Sequence, residues 1–225
     1  LEVIQNIERE GRDRATLEEQ EILSKFTGWG QFSEKLWGNY GFGHSDWKQE
    51  IEQLKIFMGE DEFDRAKKEN KPSKRERAAK RATQNSHFTD PRIVQAHWQI
   101  AQRLGFDGGR FLDPSIGSGY YVGMMPPELA SRTSITGVEL DDTTAKVAKY
   151  LYPDATVRNQ GFQDLEAPDG FYDLAASNVP FGDYRVHDPD YNRYQANIHD
   201  YFFLKSLDKV RPGGLVMHVT SAGTM

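Results

Sequence analysis

Apolar residues recur at helical spacing over the first 26 positions, as Val3, Ile4 and Ile7 and then Leu17, Ile22, Leu23 and Phe26. Thr16 followed three residues on by Glu19 has the form of a capping box, so two helices are expected, the second entered at Thr16. Residues 51–57 and 60–69 repeat at helical spacing too. Between these runs, residues 27–47 hold three of the four Trp among five Gly, too aromatic a stretch for a free loop and expected to pack against the main domain. Pro91 opens a further helical pattern in which Ile93, Val94, His97, Trp98, Ile100 and Leu104 fall on one face, with Thr89 or Asp90 as N-cap and glycines at 105–109 to close it. Short apolar runs then alternate with helical ones: strands at 110–112, 136–138, 155–158, 173–177 and 214–220, and helices at 143–151 and 199–210. Such alternation predicts an α/β fold of Rossmann-like type, a mostly parallel sheet with helices on both faces. It starts near residue 85, so 1–84 form a helical, aromatic and basic N-terminal extension and 85–225 the core. No internal repeat is visible.

With 225 residues, 37% hydrophobic and 12% aromatic, the chain can build one good core plus an appendage, which excludes collagen-like, low-complexity and wholly disordered readings. A mean hydropathy of −0.72 expects part of it to be strongly solvated. The absence of cysteine removes disulfides, zinc thiolates, iron–sulfur clusters and cysteine nucleophiles, and the six His show no ligand spacing, so no metal is expected. Nothing approaches the apolar length of a membrane span, and the first residues lack a signal-peptide pattern. The expectation is a soluble cytoplasmic protein. A chain opening on Leu1 and stopping at Met225 just after a strand-like run is expected to be a piece of something longer.

The net charge of −6 would by itself argue against nucleic acid, but it hides a block. Residues 65–81 carry nine Lys/Arg against two Glu, a local +7 that leaves −13 on the rest. Pro72 divides it, so two short helical pieces are expected. The block is either a solvated linker or an arm whose Lys71, Lys74, Arg75, Arg77, Lys80 and Arg81 contact phosphates.

Candidate chemistry begins where the first strand runs into FLDPSIGSGYYVG, residues 111–123. A Gly-rich turn between strand and helix lets backbone amides approach a ligand and aims the helix start at an anionic group, although an ordinary tight turn has the same form. The third glycine of a dinucleotide fingerprint is missing, as is Gly-Lys-Ser/Thr, which sets NAD and ATP aside. The second strand ends in Glu139, about 20 residues past Gly119, where a doubly wound fold places an acid against ribose hydroxyls. A nucleoside ligand is therefore expected, against the alternative of a surface acid. The fourth strand runs into SNVPFGDY, residues 177–184. There the Asn178 side-chain oxygen and the Val179 carbonyl can accept two amine hydrogens, with Pro180 shaping the turn and Phe181 stacking on a base. Drawing a ring-conjugated amine toward tetrahedral geometry localises its lone pair, so catalysis becomes positioning without a strong base. Residues 185–195, RVHDPDYNRYQ, mix Arg185, His and Tyr as a strand-contacting loop would, or as a plain surface loop would. Tyr201, Phe202 and Phe203 suit the core better than base stacking.

In this order the motifs resemble those of the S-adenosylmethionine-dependent amino-methyltransferases that modify adenine N6 in DNA, of the gamma class. They are most similar to the methylase portion of large phage- and plasmid-borne proteins that also carry a helicase. The resemblance rests on HFTDP (residues 87–91), DPSIGSG, VELD, NVPFG, the run from Ile198 to Met225 and the N-terminal KFTGWGQF. It implies S-adenosylmethionine as cofactor, with His87, Phe88 and Thr89 over its methionine part. Asp113, Pro114, Ser115, Gly117 and Gly119 would lie around it, Glu139 and Leu140 at its ribose, and Phe162 against its adenine. It also implies a flipped adenine held by Asn178, Val179, Pro180 and Phe181. Three departures stand out. Val179 occupies the place of the family's first proline, which relaxes the turn. Gly161 stands where the family often has Asp, leaving Asp164 or Gln160 as substitutes. No recognition domain follows the core, so a recognition or helicase region is expected beyond it or specificity is low. The partner implied is DNA, with RNA or protein glutamine as alternative substrates, and a weakly catalytic nucleic-acid-binding component, with a role in anti-restriction, as a further reading.

Overall fold

A computed structural model describes residues 2–26, 28 and 89–220. The basic block, the helices expected at 51–57 and 60–69, and all but one residue of 27–47 lie outside the described residues, as do His87 and Phe88.

Two helices open the chain, α1 (Glu2–Arg9) and α2 (Leu17–Ser24). Thr16 and Glu19 form the expected capping box: the Glu19 N–H donates to Thr16 Oγ1 and the Thr16 N–H to Glu19. Arg12 braces the same acid, donating to both Glu19 oxygens at 2.7 Å. Ile4, Ile7, Ala15 and Leu23 are buried against Val147 and Tyr150 of a later helix, while Leu17 and Ile22 face solvent.

Helix α3 (Pro91–Arg103) follows, capped by Asp90, whose side chain accepts from the Arg92 N–H at 2.9 Å. Its buried face is Val94, Trp98 and Ala101. Ile93, Ile100 and Leu104, expected on that face, are exposed. Positions 94, 98 and 101 step four and then three residues along one stripe, whereas 93, 100 and 104 run along the neighbouring stripe that the sheet does not reach.

The remaining elements alternate: β1 (Gly109–Asp113), short turns of helix α4 (Tyr120–Gly123) and α5 (Pro127–Ala130), β2 (Thr133–Glu139), α6 (Asp142–Leu151), β3 (Thr156–Asn159), β4 (Tyr172–Asn178), α7 (Ile198–Lys209) and β5 (Val210–Val219). The strands form one parallel sheet in the order β3-β2-β1-β4-β5. Successive strand residues serve opposite faces. Phe111, Leu174 and Ala176 pack with Trp98, Phe106 and Tyr121 on the α3 side, and Leu112 and Ala175 pack with Phe162, Tyr201 and Phe202 on the α7 side. Phe111 and Leu112 are both fully buried, and burying each side chain contributes about 1.5–3 kcal/mol. The α/β reading therefore holds, with two differences at its edges. Strand β5 starts at Val210 directly from α7, with an irregular register opposite Tyr172 and Leu174, and α4 and α5 are additional.

Because β2 and β4 flank β1 on opposite sides, the chain changes its direction of winding there. The crevice at the carboxyl ends of β1 and β4 is where an open α/β sheet offers a ligand site.

Candidate active site

The turn after β1 is tied to β2 by its own backbone. The Ile116 N–H donates to the Val138 carbonyl at 2.9 Å, and the Gly117 N–H donates to Glu139 Oε2 at 3.1 Å. Gly119 has φ 90° and leads into α4; a Cβ there would overlap the Tyr152 ring, so both the backbone angle and the packing require glycine. Trp98 secures the far side by donating from Nε1 to the Tyr121 carbonyl at 3.1 Å.

At the tip of β1, Asp113 is buried and accepts from the Ser177 hydroxyl at 2.6 Å and the Ser115 N–H at 3.2 Å. Burial pushes its carboxyl up to about 7 against those two hydrogen bonds. Glu139, at the tip of β2, holds the Asp141 N–H on Oε1 at 2.8 Å as well as Gly117 on Oε2. Desolvation again dominates and raises it to about 7, with the nearby Asp141 and Asp113 charges in the same direction. An acid whose folded pKa lies above its unfolded value stabilises the fold most while it stays protonated, below that unfolded value. Stability without ligand is thus expected to fall as pH rises from about 4 to about 7, across the window set by these two groups. Thermal unfolding across that range checks it: the fall should be smaller in Asp113→Asn.

From Glu139 the wall of the crevice continues through Leu140 and then Gln160, Gly161, Phe162 and Gln163. Phe162 is almost fully buried, packed in the core against Phe202 with the rings tilted and their centroids 5.0 Å apart. Across the crevice lie Pro114, Ser115 and Pro180, then Tyr184 to His187, with Ile198 and Phe202 beneath. The cleft measures about 710 Å³.

Asn178 ends β4 beside Val219 of β5. The next residue, Val179, is held by its neighbours. The Val179 N–H donates to the Val219 carbonyl at 3.1 Å, a bond proline cannot make, and the Val179 side chain is buried in the α7-side core. The backbone at 179 is therefore held by the sheet and the core where a proline ring would otherwise restrict it.

The loop after this turn is pinned from below. Asp188 and Lys205 are both buried, with Lys205 Nζ donating to Asp188 at 3.0 Å and to the Gln163 carbonyl at 2.9 Å. The Tyr201 hydroxyl donates to the same carboxylate at 2.7 Å. Burial opposes ionisation of Asp188, but Tyr201 and Lys205 outweigh it and hold the carboxyl below its ordinary value. One ammonium thus fastens both walls of the cleft to α7, a role that Lys in an otherwise apolar helix stripe signals only weakly in sequence.

Of the residues expected from sequence, Pro114, Ser115, Glu139, Leu140, Phe162, Pro180 and Arg185 come together on the cleft. Asp113, Gly117 and Gly119 lie behind it as supports of the turn, and Thr89 is buried beside the α3 cap. Asp164 is exposed and off the cleft, where it accepts from Gln163 Nε2 at 2.8 Å. Tyr201 and Phe202 are core, as expected. No group of side chains that could hold a metal ion occurs among the described residues, and no described helix is long and apolar enough to cross a membrane.

The parallel sheet with its crevice at the β1–β4 switch is a Rossmann-like fold, shared with solved structures named as S-adenosylmethionine-dependent methyltransferases. A Listeria monocytogenes protein named as such a methyltransferase superposes with a TM-score of 0.51 at 16% identity, over 63% of this chain and 48% of that one. The methyltransferase subunit of a type I restriction-modification system from Streptococcus thermophilus gives 0.45 at 16% identity, over 59% and 34%. In sequence, 137 residues are 29% identical to the defense against restriction protein B of Escherichia phage P1, covering 59% of this chain and 6% of that protein. The chain therefore corresponds to a small part of that relative and about half of the Listeria structure. No protein-family model matches it.

Proposed function

We propose that this chain is the catalytic core of an S-adenosylmethionine-dependent DNA methyltransferase acting on adenine N6, of the gamma class, that works within a longer anti-restriction protein of a phage or plasmid. The observation that carries the reading is that Glu139 at the end of β2 and Pro180 of the NVPF turn after β4 line one cleft at the β1–β4 switch, while Asn178, Val179 and Phe181 sit beside Pro180 in sequence and do not themselves line it. The cleft has chemistry suited to the cofactor. Its 710 Å³ lies within the range of about 300–1,000 Å³ typical of small-molecule sites. Its lining includes the Glu139 carboxyl and the apolar residues Leu140 and Phe162. When bound, S-adenosylmethionine supplies an electrophilic methyl group.

The chain's own part is to hold and aim. Glu139 accepts from ribose hydroxyls while keeping Gly117 and Asp141 in place. Asn178 Oδ1 and the Val179 carbonyl accept the two hydrogens of the target amine, which concentrates its lone pair toward the methyl group. Phe181 stacks on the extruded base, and burial of the Val179 side chain keeps the accepting carbonyl in register. The basic segment at 71–81 and Arg185 contact phosphates; the former lies outside the described residues. We further propose the division into a 1–84 extension and an 85–225 core, noting that α1 and α2 pack on α6.

Glu139→Ala removes the carboxylate that accepts from the Gly117 and Asp141 amides. It is expected to weaken binding of S-adenosylhomocysteine by about 10- to 100-fold, read by titration calorimetry. The activity itself is tested by tritiated-methyl transfer to unmodified DNA, to RNA and to protein, followed by nucleoside analysis. N6-methyladenine in DNA is the expected product. Label in RNA or glutamine would reassign the substrate, and cofactor binding without transfer to any acceptor would leave a non-catalytic binding component.

A further inference from the structure

Gln163 is a half-buried residue on the cleft whose side chain folds back over Gly161. A Cβ at 161 would overlap the Gln163 carboxamide, so the missing side chain at one position is the space occupied by the other. The carboxamide is also oriented. Its Nε2 donates to Asp164 at 2.8 Å, and because an ionised carboxylate only accepts, nitrogen must face Asp164. The turn carrying it is fastened through the Gln163 carbonyl to Lys205 at 2.9 Å, over the buried ring of Phe162. That bond leaves the amide oxygen and the second Nε2 hydrogen, one acceptor and one donor, on a residue that lines the cleft.

We infer that Gln163 is the specificity-determining residue for the base of the bound nucleoside, its amide reading the amino and ring-nitrogen edge of a 6-aminopurine, and that Asp164 is a positioning residue that fixes which way the amide faces. This rests on the reading of the cleft as the nucleoside site. Oε1 accepts from the exocyclic amine and Nε2 donates to the unprotonated ring nitrogen beside it. A 6-oxopurine presents the opposite pattern, and the amide could match it only by turning over, which the bond to Asp164 opposes. Gly161 follows from the same arrangement, since any side chain there would displace the carboxamide.

The test compares binding of S-adenosylhomocysteine with that of its deaminated counterpart, S-inosylhomocysteine, to the full chain by calorimetry. The unmodified protein is expected to favour the amino form by about 10-fold or more. In Gln163→Ala the preference should collapse to about twofold or less with the thermal midpoint little changed, because the half-buried amide lies over Gly161 and makes its hydrogen bond to the exposed Asp164. Asp164→Asn should narrow the preference through gain of affinity for the inosine form, since an amide partner lets Gln163 turn; a purely structural role for Asp164 would weaken both ligands equally. Equal binding of both ligands to the unmodified protein, or an unchanged preference in Gln163→Ala, overturns the inference and leaves the nucleoside site standing. Failure of both ligands to bind overturns the nucleoside reading together with it.

Discussion

Asn178→Ala is expected to lower methyl transfer by about 10²–10³-fold, the effect of removing one preorganised hydrogen-bonding group aimed at developing charge. Its effect on cofactor affinity should be small, because Asn178 serves the acceptor amine and the groups proposed to hold the cofactor come from β1, β2 and the 160–163 wall. The size follows from the chemistry of the nucleophile. An amine conjugated to a purine ring has little lone-pair density to offer, and two acceptors on its hydrogens are what make it available. Removing Asn178 leaves the Val179 carbonyl as one acceptor, so residual activity is expected rather than none. Single-turnover rates with prebound S-adenosylmethionine isolate this step, and calorimetry with S-adenosylhomocysteine provides the control. A variant that loses cofactor binding in parallel with rate would place Asn178 in the cofactor site instead.

Lys205→Met should cost about 3–5 kcal/mol of folding stability, the penalty for leaving one member of a buried ion pair behind. Methionine fills most of the volume, so cavity formation contributes little and the loss reports on charge. Asp188 keeps the hydroxyl of Tyr201 at 2.7 Å but loses the ammonium at 3.0 Å, and the Gln163 carbonyl loses its donor at 2.9 Å. Urea unfolding measures the change, and its pH dependence identifies the cause. The folded carboxyl of Asp188 sits below its ordinary value of 3.8. A depressed acid stabilises the fold above its unfolded pKa, and that contribution is lost as pH falls through the folded one. The two proteins should therefore differ most near neutral pH and converge in acid. A difference that persists in acid would mean that lost packing dominates. The same variant should loosen both walls of the cleft, which predicts weaker binding of S-adenosylhomocysteine even where the fold persists.

Much of the fold was legible because its signals are local. The capping box at Thr16 and Glu19 needs only three intervening positions, and a parallel strand buried on both faces shows as a continuous apolar run. The five strands and the two longer helices between them, α6 and α7, were recoverable in order, with edges off by a few residues at β2 and β5, whereas the short α4 and α5 were not. The face of α3 was not recoverable. Ile93, Ile100 and Leu104 are as apolar as Val94 and Trp98, and only the position of the sheet decides which stripe is covered. The packing of α1 and α2 on α6 was equally hidden, since nothing near residue 4 refers to residue 147.

At the site, DPSIGSG, Glu139 and NVPF were legible as candidates, because each motif states its residue types within a few positions. Three matters were left to tertiary structure. Val179 reads in sequence as a loosened turn, yet the Val219 carbonyl and a buried pocket restrain it from another strand and another helix. Asp164 and Gln160 stood as substitutes for the side chain missing at Gly161, whereas the Gln163 side chain occupies the space over Gly161 and donates to Asp164. Lys205 reads as one more charge on a polar chain, yet it lies buried between Asp188 and the Gln163 carbonyl. Sequence alone thus determined the elements, their order and the chemical groups brought to the sheet edge, all of which depend on near neighbours along the chain. Which groups face each other across the cleft, and which charges are buried, depends on contacts between distant segments, and only the folded chain decides them.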